Sequence, residues 1–191
     1  TEAEVEEPAV VVVMNHEEYM AAELDSEVVI ETFVQGHQSW WDNKITVYCQ
    51  SPDGAYFLYE LACSEEDAAK LVPGTKIRVT GYKGEWAGEV EVMDGTFEFV
   101  EGGDTFIAEA LDVTELLGTE ELIKHQNEKV AFKGLTKADS FSATEINAHI
   151  HSDGTLIICG FTGELVADFF KELSRQRGRE GRRTHLAFDA I

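Results

Sequence analysis

Apolar and polar residues alternate in five short runs between residues 28 and 100, which is the pattern of half-buried β-strands. In the first run, Val28, Ile30 and Val34 fall on one side of the chain, and Glu31 falls on the other. The five runs cover residues 28–35, 44–50, 55–61, 75–82 and 88–93, and a further stretch at 96–100 follows the last of them after a turn signal. The pattern therefore predicts a mainly β domain built from short strands.

Three local signals mark the connections between these runs. The Ser-Pro-Asp-Gly sequence at 51–54 predicts a turn, because Pro fixes φ and Gly tolerates positive φ, so 44–61 is expected to form a hairpin. Ser64 can cap a short helix over 64–72, whose first turn is acidic and which a Pro-Gly pair follows. Asp94-Gly95 predicts a tight turn after the last run.

The resulting order is strand, strand, strand, helix, strand, strand, which is the order of the OB-fold. The stretch 71–81, Leu-Val-Pro-Gly-Thr-Lys-Ile-Arg-Val-Thr-Gly, resembles the start of the fourth strand in many OB-fold domains. The resemblance implies a five-stranded Greek-key barrel at 26–100 with a helix between strands three and four. The acidic leader and the 28–100 pattern together resemble the uncharacterised extracytoplasmic OB-fold lipoproteins of bacteria.

A weak internal repeat at an offset near 100 residues predicts a second, incomplete OB-like domain at 128–191. Its strands are expected at 128–135, 146–151, 155–159 and 184–188, with no fifth strand following. Residues 1–25 would be an acidic leader with a short helical turn, and 101–127 a linker with a helix at 113–124. An open second barrel would expose a sheet edge and favour self-association.

The charge of the chain narrows the choice of partners. The net charge is −22, from 37 acidic and 15 basic residues, and such a field repels phosphate backbones and anionic lipid. Six of the bases lie in one late segment: Lys171, Arg175, Arg177, Arg179, Arg182 and Arg183. The chain contains no run of 18 apolar residues, so no membrane-spanning helix is predicted. The acidic sequence after Thr1 resembles a spacer left after processing, so a cell-surface location with a lipid anchor upstream of Thr1 is expected; an artificial boundary is the alternative.

Sequence motifs for catalysis are absent, which predicts a protein that is not an enzyme and needs no cofactor. His149 and His151 share one face of a predicted strand, roughly 7 Å apart at about 3.3 Å per residue. With Asp153 they are weak candidates for a metal site, and a solvent-facing strand is the favoured interpretation. The three cysteines are interpreted as small buried hydrophobic residues, with a Cys49–Cys63 disulfide left open.

Aromatic residues supply the candidate ligand site. Trp40 and Trp41 lie in the loop between the first two strands, and Trp86 lies in the loop before the fifth, so the three would flank the face formed by strands two and three. Tyr48 is expected on that face. Tyr59 or Phe57 is expected beside it if the side of the third strand that carries these residues faces out. Arg78, His37, Lys44 and Lys83 are candidate polar neighbours. The alternative to ligand binding is a role in the core. The two roles are weighted equally for Trp40 and Trp86, and the core role is favoured for Trp41.

These features predict a non-catalytic extracytoplasmic module that binds a carbohydrate, peptide or small molecule on an aromatic-flanked OB face. A single-stranded nucleic-acid binder is one alternative, supported by fold analogy and opposed by charge. A structural or adaptor domain of a surface lipoprotein is another, with its open second barrel accepting a strand from a partner.

Overall fold

A computed structural model of the chain describes residues 12–86, 88–117 and 119–133, together with the backbone of four short strands farther along. The barrel region contains α1 (His16–Ala21), β1 (Glu27–His37), β2 (Lys44–Ser51), β3 (Gly54–Ala62), α2 (Glu65–Ala68), β4 (Lys76–Trp86) and β5 (Glu89–Phe99). After it come β6 (Leu111–Asp112), two 3-10 helices (Thr114–Leu116 and Glu120–His125), β7 (Val130–Phe132), β8 (Leu135–Lys137), β9 (Ala148–Ile150), β10 (Leu156–Ile158) and β11 (Thr184–Leu186).

The first five strands form a closed barrel in the order β1-β2-β3-β5-β4. Strands β3 and β5 run parallel, and every other neighbouring pair in the barrel is antiparallel. Helix α2 lies between β3 and β4 in the chain, and the Ser64 hydroxyl accepts a hydrogen bond from the Asp67 backbone N–H. This topology confirms the predicted OB-type barrel.

The barrel core is built from the alternating positions that the sequence indicated. In β1, Val28, Ile30 and Val34 are fully buried, and β2 contributes Val47 and Cys49 in the same way. Cys49 and Cys63 are both buried free thiols, so the disulfide left open by the sequence is not formed. The alternation therefore separates a packed interior from an outer face along each strand.

Strand β5 differs from its prediction because residues 89–99 form one continuous strand, without the tight turn expected at 94–95. Thr80 pairs with Thr96 and Tyr82 pairs with Met93, so Gly81 alone faces two residues, Asp94 and Gly95. The expected tight turn at Asp94-Gly95 is thus a bulge, and Asp94 takes a φ of 49°. Helix α2 is also shorter than predicted, ending at Ala68.

Helix α1 closes one end of the barrel. Asn15 and Glu18 form a reciprocal capping box at its start, and the Tyr19 ring packs 5.2 Å from the Tyr56 ring inside the barrel. The Lys83 ammonium donates to two carbonyls at the end of the helix, Met20 O at 2.6 Å and Ala22 O at 2.7 Å. Lys83 was expected beside a ligand face; it is buried, because helix carbonyls without an intrahelical partner need a donor.

The linker packs against the barrel instead of standing apart from it. The buried Gln35 amide donates to Phe106 O at 3.0 Å and accepts from Ala108 N–H at 2.8 Å. The helix predicted at 113–124 is two short 3-10 helices, Thr114–Leu116 and Glu120–His125. Residues 106–108 are therefore fixed to β1 through one side chain.

From residue 111 onward, four short strands form a sheet in the order β6-β7-β10-β9, and β8 pairs in parallel with β11. Strands β9 and β10 are antiparallel and lie within the strands predicted at 146–151 and 155–159. Strand β7 pairs with β10, whereas in the first barrel the first strand pairs with the second. The second OB-like copy stays a prediction, because most of residues 134–191 lie outside the described part.

Replacing Gly54 by Ala should destabilise the protein by about 1–3 kcal/mol, because the new methyl group would overlap the His16 ring. That ring packs 5.2 Å from the Tyr56 ring, and the His16 backbone N–H donates to the Asp53 carboxylate at 2.8 Å. Urea unfolding measures the loss. Gly103→Ala is the control, since its methyl would make ordinary contacts with Lys76 Cδ at 3.4 Å and Val100 O at 3.8 Å, and equal stability of both variants would contradict the proposed packing.

Candidate ligand-binding site

The connection between β1 and β2 ends in a tight turn that carries Trp41. Trp41 and Lys44 exchange both backbone hydrogen bonds, at 3.0 and 2.9 Å, across Asp42 and Asn43. Both central residues have positive φ, 50° and 60°, which is the geometry of a two-residue type I′ turn. Asp and Asn tolerate this conformation better than most residues do, so the sequence suits the turn.

A second set of contacts fixes this turn to the barrel. The Cys63 backbone N–H donates to Asn43 O at 2.9 Å, and the Cys63 carbonyl accepts from the Trp40 indole N–H at 2.9 Å. Trp40 is half-buried and packs against the core. Trp40 therefore closes the barrel end, whereas the adjacent Trp41 is 74% exposed. The sequence favoured a core role for Trp41, and that expectation is wrong.

Trp41 pairs across the turn with Lys44, which belongs to an ion pair flanked by a second exposed aromatic residue. Lys44, opposite Trp41 in the turn, lies 2.8 Å from the Glu60 carboxylate, and Tyr59 precedes Glu60 with 44% of its surface exposed. The bond from Lys44 lowers the pKa of Glu60, and the Glu60 charge raises the pKa of Tyr59. We name these four residues the Trp41 platform: Trp41, Lys44, Tyr59 and Glu60.

The middle of the predicted ligand face is closed. Tyr48 is only 8% exposed, its ring stacks 5.5 Å from Phe57, and its hydroxyl accepts from Gln38 Nε2 at 2.8 Å. The outward direction predicted for Tyr48 is confirmed by its pairing with Phe57 on the face opposite to the core. Burial, however, leaves little of either ring for a ligand.

Side chains of the linker help to cover this face. Gln50 Oε1 accepts from the Lys129 backbone N–H at 2.9 Å. Gln126 Oε1 accepts from Val90 N–H and Asn127 Nδ2 donates to Val90 O, both at 2.9 Å. Residues 126–129 therefore bind the backbone of β5 and the side chain of β2, beside the closed rings.

Two other candidates lie away from the Trp41 platform. Arg78 lies between Glu31 of β1 and Glu98 of β5 and binds a carboxylate oxygen of each at 2.7 Å, so it is on the other side of the barrel from Tyr48. Trp86 is the last residue of β4, is 71% exposed, and lies at the barrel end where β3 begins. The residues 83–86, predicted to be loop, are part of a strand because β5 pairs with them up to Glu89.

Every Lys and Arg between residues 12 and 133 is already engaged. In the barrel and α2, four side chains form ion pairs with carboxylates at 2.6–3.0 Å: Lys44, Lys70, Lys76 and Arg78. Lys83 donates to two carbonyls at the end of α1. The other three bind acceptors in the linker: Lys124, Lys129 and Lys133. The same stretch holds 25 Asp and Glu residues. No free cationic groove exists in this part of the chain.

Two carboxylates of β5 are buried, and no Lys or Arg between residues 12 and 133 pairs with them. Glu89 is 6% exposed, and its Oε1 has no hydrogen-bond partner. Burial, with the nearby Glu91 charge, raises the pKa of Glu89 to about 8, and burial also raises the pKa of Glu91. The sequence signal for this pair is weak, because Glu89 and Glu91 look like the polar half of an ordinary alternating strand.

The remaining candidates concern metals, His37 and the membrane. The described residues contain no group of three or more His, Cys, Asp or Glu side chains placed to hold a metal ion. The proposed His149 and His151 site falls outside the residues whose side chains are described. His37 Nδ1 lies 2.7 Å from Gln38 O, so the contact is local. Among described helices, none is long and apolar enough to cross a membrane.

The two neighbouring tryptophans should differ sharply in their contribution to stability. Trp40→Ala should lower the free energy of unfolding by about 2 kcal/mol or more, because it removes a half-buried ring and the bond to Cys63 O. Trp41→Ala should change it by about 0.5 kcal/mol at most, since the ring is exposed. Thermal and urea unfolding of both variants make the comparison. A larger loss for Trp41→Ala would refute the assignment of the two rings.

The buried Glu89 should make stability fall as pH rises from about 5 to 8. The pKa of this carboxyl is near the ordinary 4.5 in the unfolded chain and about 8 in the folded protein, so the folded state holds an extra proton between these values. Its contribution to stability declines by up to about 1.4 kcal/mol per pH unit there. Glu89→Gln should remove this decline. Parallel stability profiles of the wild type and the variant, from urea unfolding at several pH values, would contradict the assignment.

Comparisons with known proteins yield structural neighbours only. No family model matches the chain, and no curated protein matches it. A solved asparaginyl-tRNA synthetase from Entamoeba histolytica superposes with a TM-score of 0.40 and 12% identity, covering 61% of this chain and 31% of that one. The same enzyme in complex with asparaginyl-adenylate gives a TM-score of 0.36 and 8% identity, covering 73% of this chain and 40% of that one. The chain thus spans less than half the length of these neighbours, and the OB-type assignment rests on the strand order of the barrel.

Proposed function

We propose that this protein is a non-catalytic binding module that holds a neutral carbohydrate on the Trp41 platform. The observation that carries the proposal is an exposed indole on a hydrogen-bonded two-residue turn, which Trp40 and Cys63 fix to the barrel. An exposed Trp does not stabilise the fold by burial. Fixing the backbone that carries the ring reduces the ordering cost that a ligand would otherwise meet.

The chemistry of the platform suits a sugar ring. The apolar face of a pyranose can stack on Trp41, while its hydroxyl groups need donors and acceptors close by. Lys44 and Glu60 supply both kinds of group from one ion pair, and the Tyr59 hydroxyl adds another. Because the pair is already neutral as a unit, it favours an uncharged ligand over an ionic one.

The alternative of single-stranded nucleic acid has little support from the barrel. Binding a phosphate backbone releases counterions only where cations face the strand. All Lys and Arg side chains from 12 to 133 have acceptors in the protein, and the stacked Tyr48 and Phe57 rings are buried. A base could not stack on this face without displacing the protein's own packing.

A cell-surface location with a lipid anchor is part of the same proposal. Its support is the resemblance of the acidic leader and barrel pattern to extracytoplasmic OB-fold lipoproteins. The location is tested by protease accessibility of the native protein on intact cells. Protection from protease until the cells are lysed would count against it.

Titration with neutral oligosaccharides should change the tryptophan fluorescence of the wild-type protein. Trp41→Ala should weaken binding about tenfold or more, because the stacking surface is lost. Trp86→Ala serves as the matched control, since it removes a ring of similar exposure at the other barrel end and should leave affinity unchanged. Affinity should also be insensitive to salt.

Two results would reject the proposal. The first is the absence of binding for a broad set of neutral glycans, measured by both fluorescence and calorimetry. The second is tight, salt-sensitive binding of single-stranded oligonucleotides that survives Trp41→Ala. Binding of uncharged peptides in place of glycans, if lost in Trp41→Ala, would keep the site and reject the carbohydrate assignment.

A further inference from the structure

A second surface lies at the other end of the barrel, on the outer face of β4 and β5. Residues directly opposite each other on antiparallel strands share a face, with Cβ atoms about 5 Å apart. The pairs are Tyr82 with Met93, Gly84 with Glu91, and Trp86 with Glu89. We name these six residues the Trp86 face.

The apolar part of the Trp86 face is open to solvent. Trp86 is 71% exposed and Tyr82 is 45% exposed, two positions on either side of Gly84. The Met93 side chain lies over Gly84, where a Cβ would be 2.6 Å from Met93 Cε. The missing side chain at position 84 thus lets a flexible thioether fill the space between two exposed aromatic rings.

The acidic part of the Trp86 face is buried and has no cationic partner in the described part of the chain. Glu89 and Glu91 are both almost inaccessible, and Glu89 Oε1 accepts no hydrogen bond. Buried carboxylates in proteins are ordinarily paired, because an isolated buried charge is costly. The described Lys and Arg side chains are bound elsewhere, so none of them neutralises this pair.

We propose that the Trp86 face docks a Lys or Arg side chain of a basic peptide segment in a partner protein. The cation would lie on the exposed Trp86 ring, which attracts it through the ring quadrupole, with its charge towards the carboxylate of Glu89. Glu27, which pairs with Tyr82, and Glu85 are exposed acids nearby and extend the negative field. The partner is therefore basic, and a neutral ligand gains nothing from the two carboxylates.

This docking is coupled to the proton on Glu89. At neutral pH the raised pKa keeps this carboxyl largely protonated, and Tyr19 and Glu91 are the titratable groups that interact with it. An arriving cation favours the ionised carboxylate, so docking releases a proton. Affinity should consequently increase as pH rises from about 6 to 9, whereas Lys and Arg of the partner stay charged through most of that range.

The test uses the full chain and a capped peptide of alternating arginine and glycine, measured by titration calorimetry at moderate salt. The same peptide with citrulline in place of arginine is the uncharged control. Wild-type protein should bind the arginine peptide and not the citrulline peptide. Trp86→Ala and Glu89→Gln should each weaken binding about fivefold or more, and Glu89→Gln should also remove its dependence on pH.

Two matched variants separate this surface from the general acidity of the chain and from the carbohydrate site. Glu65→Gln replaces a carboxyl by an amide, as Glu89→Gln does, but the residue lies on α2 away from the Trp86 face, and the change should leave affinity unchanged. Trp41→Ala should leave peptide binding intact, so this inference and the carbohydrate proposal can fail independently. If Glu89→Gln unfolds the protein, Glu91→Gln and Trp86→Phe take its place, with folding checked by circular dichroism.

Several outcomes would overturn the inference. Equal weakening by Glu65→Gln and Glu89→Gln would show attraction by net charge alone. Unchanged binding in Trp86→Ala, or equal binding of the citrulline peptide, would show that neither the ring nor the charge is recognised. Affinity that is constant between pH 6 and 9 would contradict the coupling to Glu89.

Discussion

The structure depends on how β3 and β5 close the barrel. These parallel strands are paired only at Phe57–Glu91 and Leu58–Val92, and the next backbone groups of β5, at Val90, are bound by Gln126 and Asn127 side chains instead. A buried backbone group without a partner costs free energy comparable to a lost hydrogen bond, so the linker is required at this seam. Once it is there, the face beside Tyr48 is covered, and exposed aromatic residues remain only at the two ends of the described barrel.

This constraint explains which parts of the structure could be predicted from the sequence. The alternation of Val28, Ile30 and Val34 reports burial on one face, a local property that any strand in a barrel must satisfy. The strand order could be predicted because the helix and turn signals lie within a few residues of the strands that they separate. The closed seam could not be predicted, because it joins Val90 to residues 36 and 37 positions farther along the chain.

The candidate site shows the same limit in its individual residues. Trp40 and Trp41 are adjacent, and only the Cys63 carbonyl, 23 positions away, decides which ring turns towards the core. Arg78 and Lys83 are both cations in one strand, yet register places the first between two carboxylates and the second against helix carbonyls. Asp94-Gly95 has the composition of a tight turn, and it becomes a bulge because β4 continues to pair on both sides of it.

The acidity of the chain has a different consequence at each end of the barrel. At the Trp41 platform the carboxylate of Glu60 is neutralised by Lys44, so the ring stands beside a polar but uncharged unit. At the Trp86 face no Lys or Arg of the described residues pairs with the carboxylates of Glu89 and Glu91. We therefore propose that the same residue type, at nearly the same exposure, stacks on a neutral ligand at one end and makes a cation–π contact at the other. In both proposals the ligand of each tryptophan follows from local compensation of charge and not from the total charge.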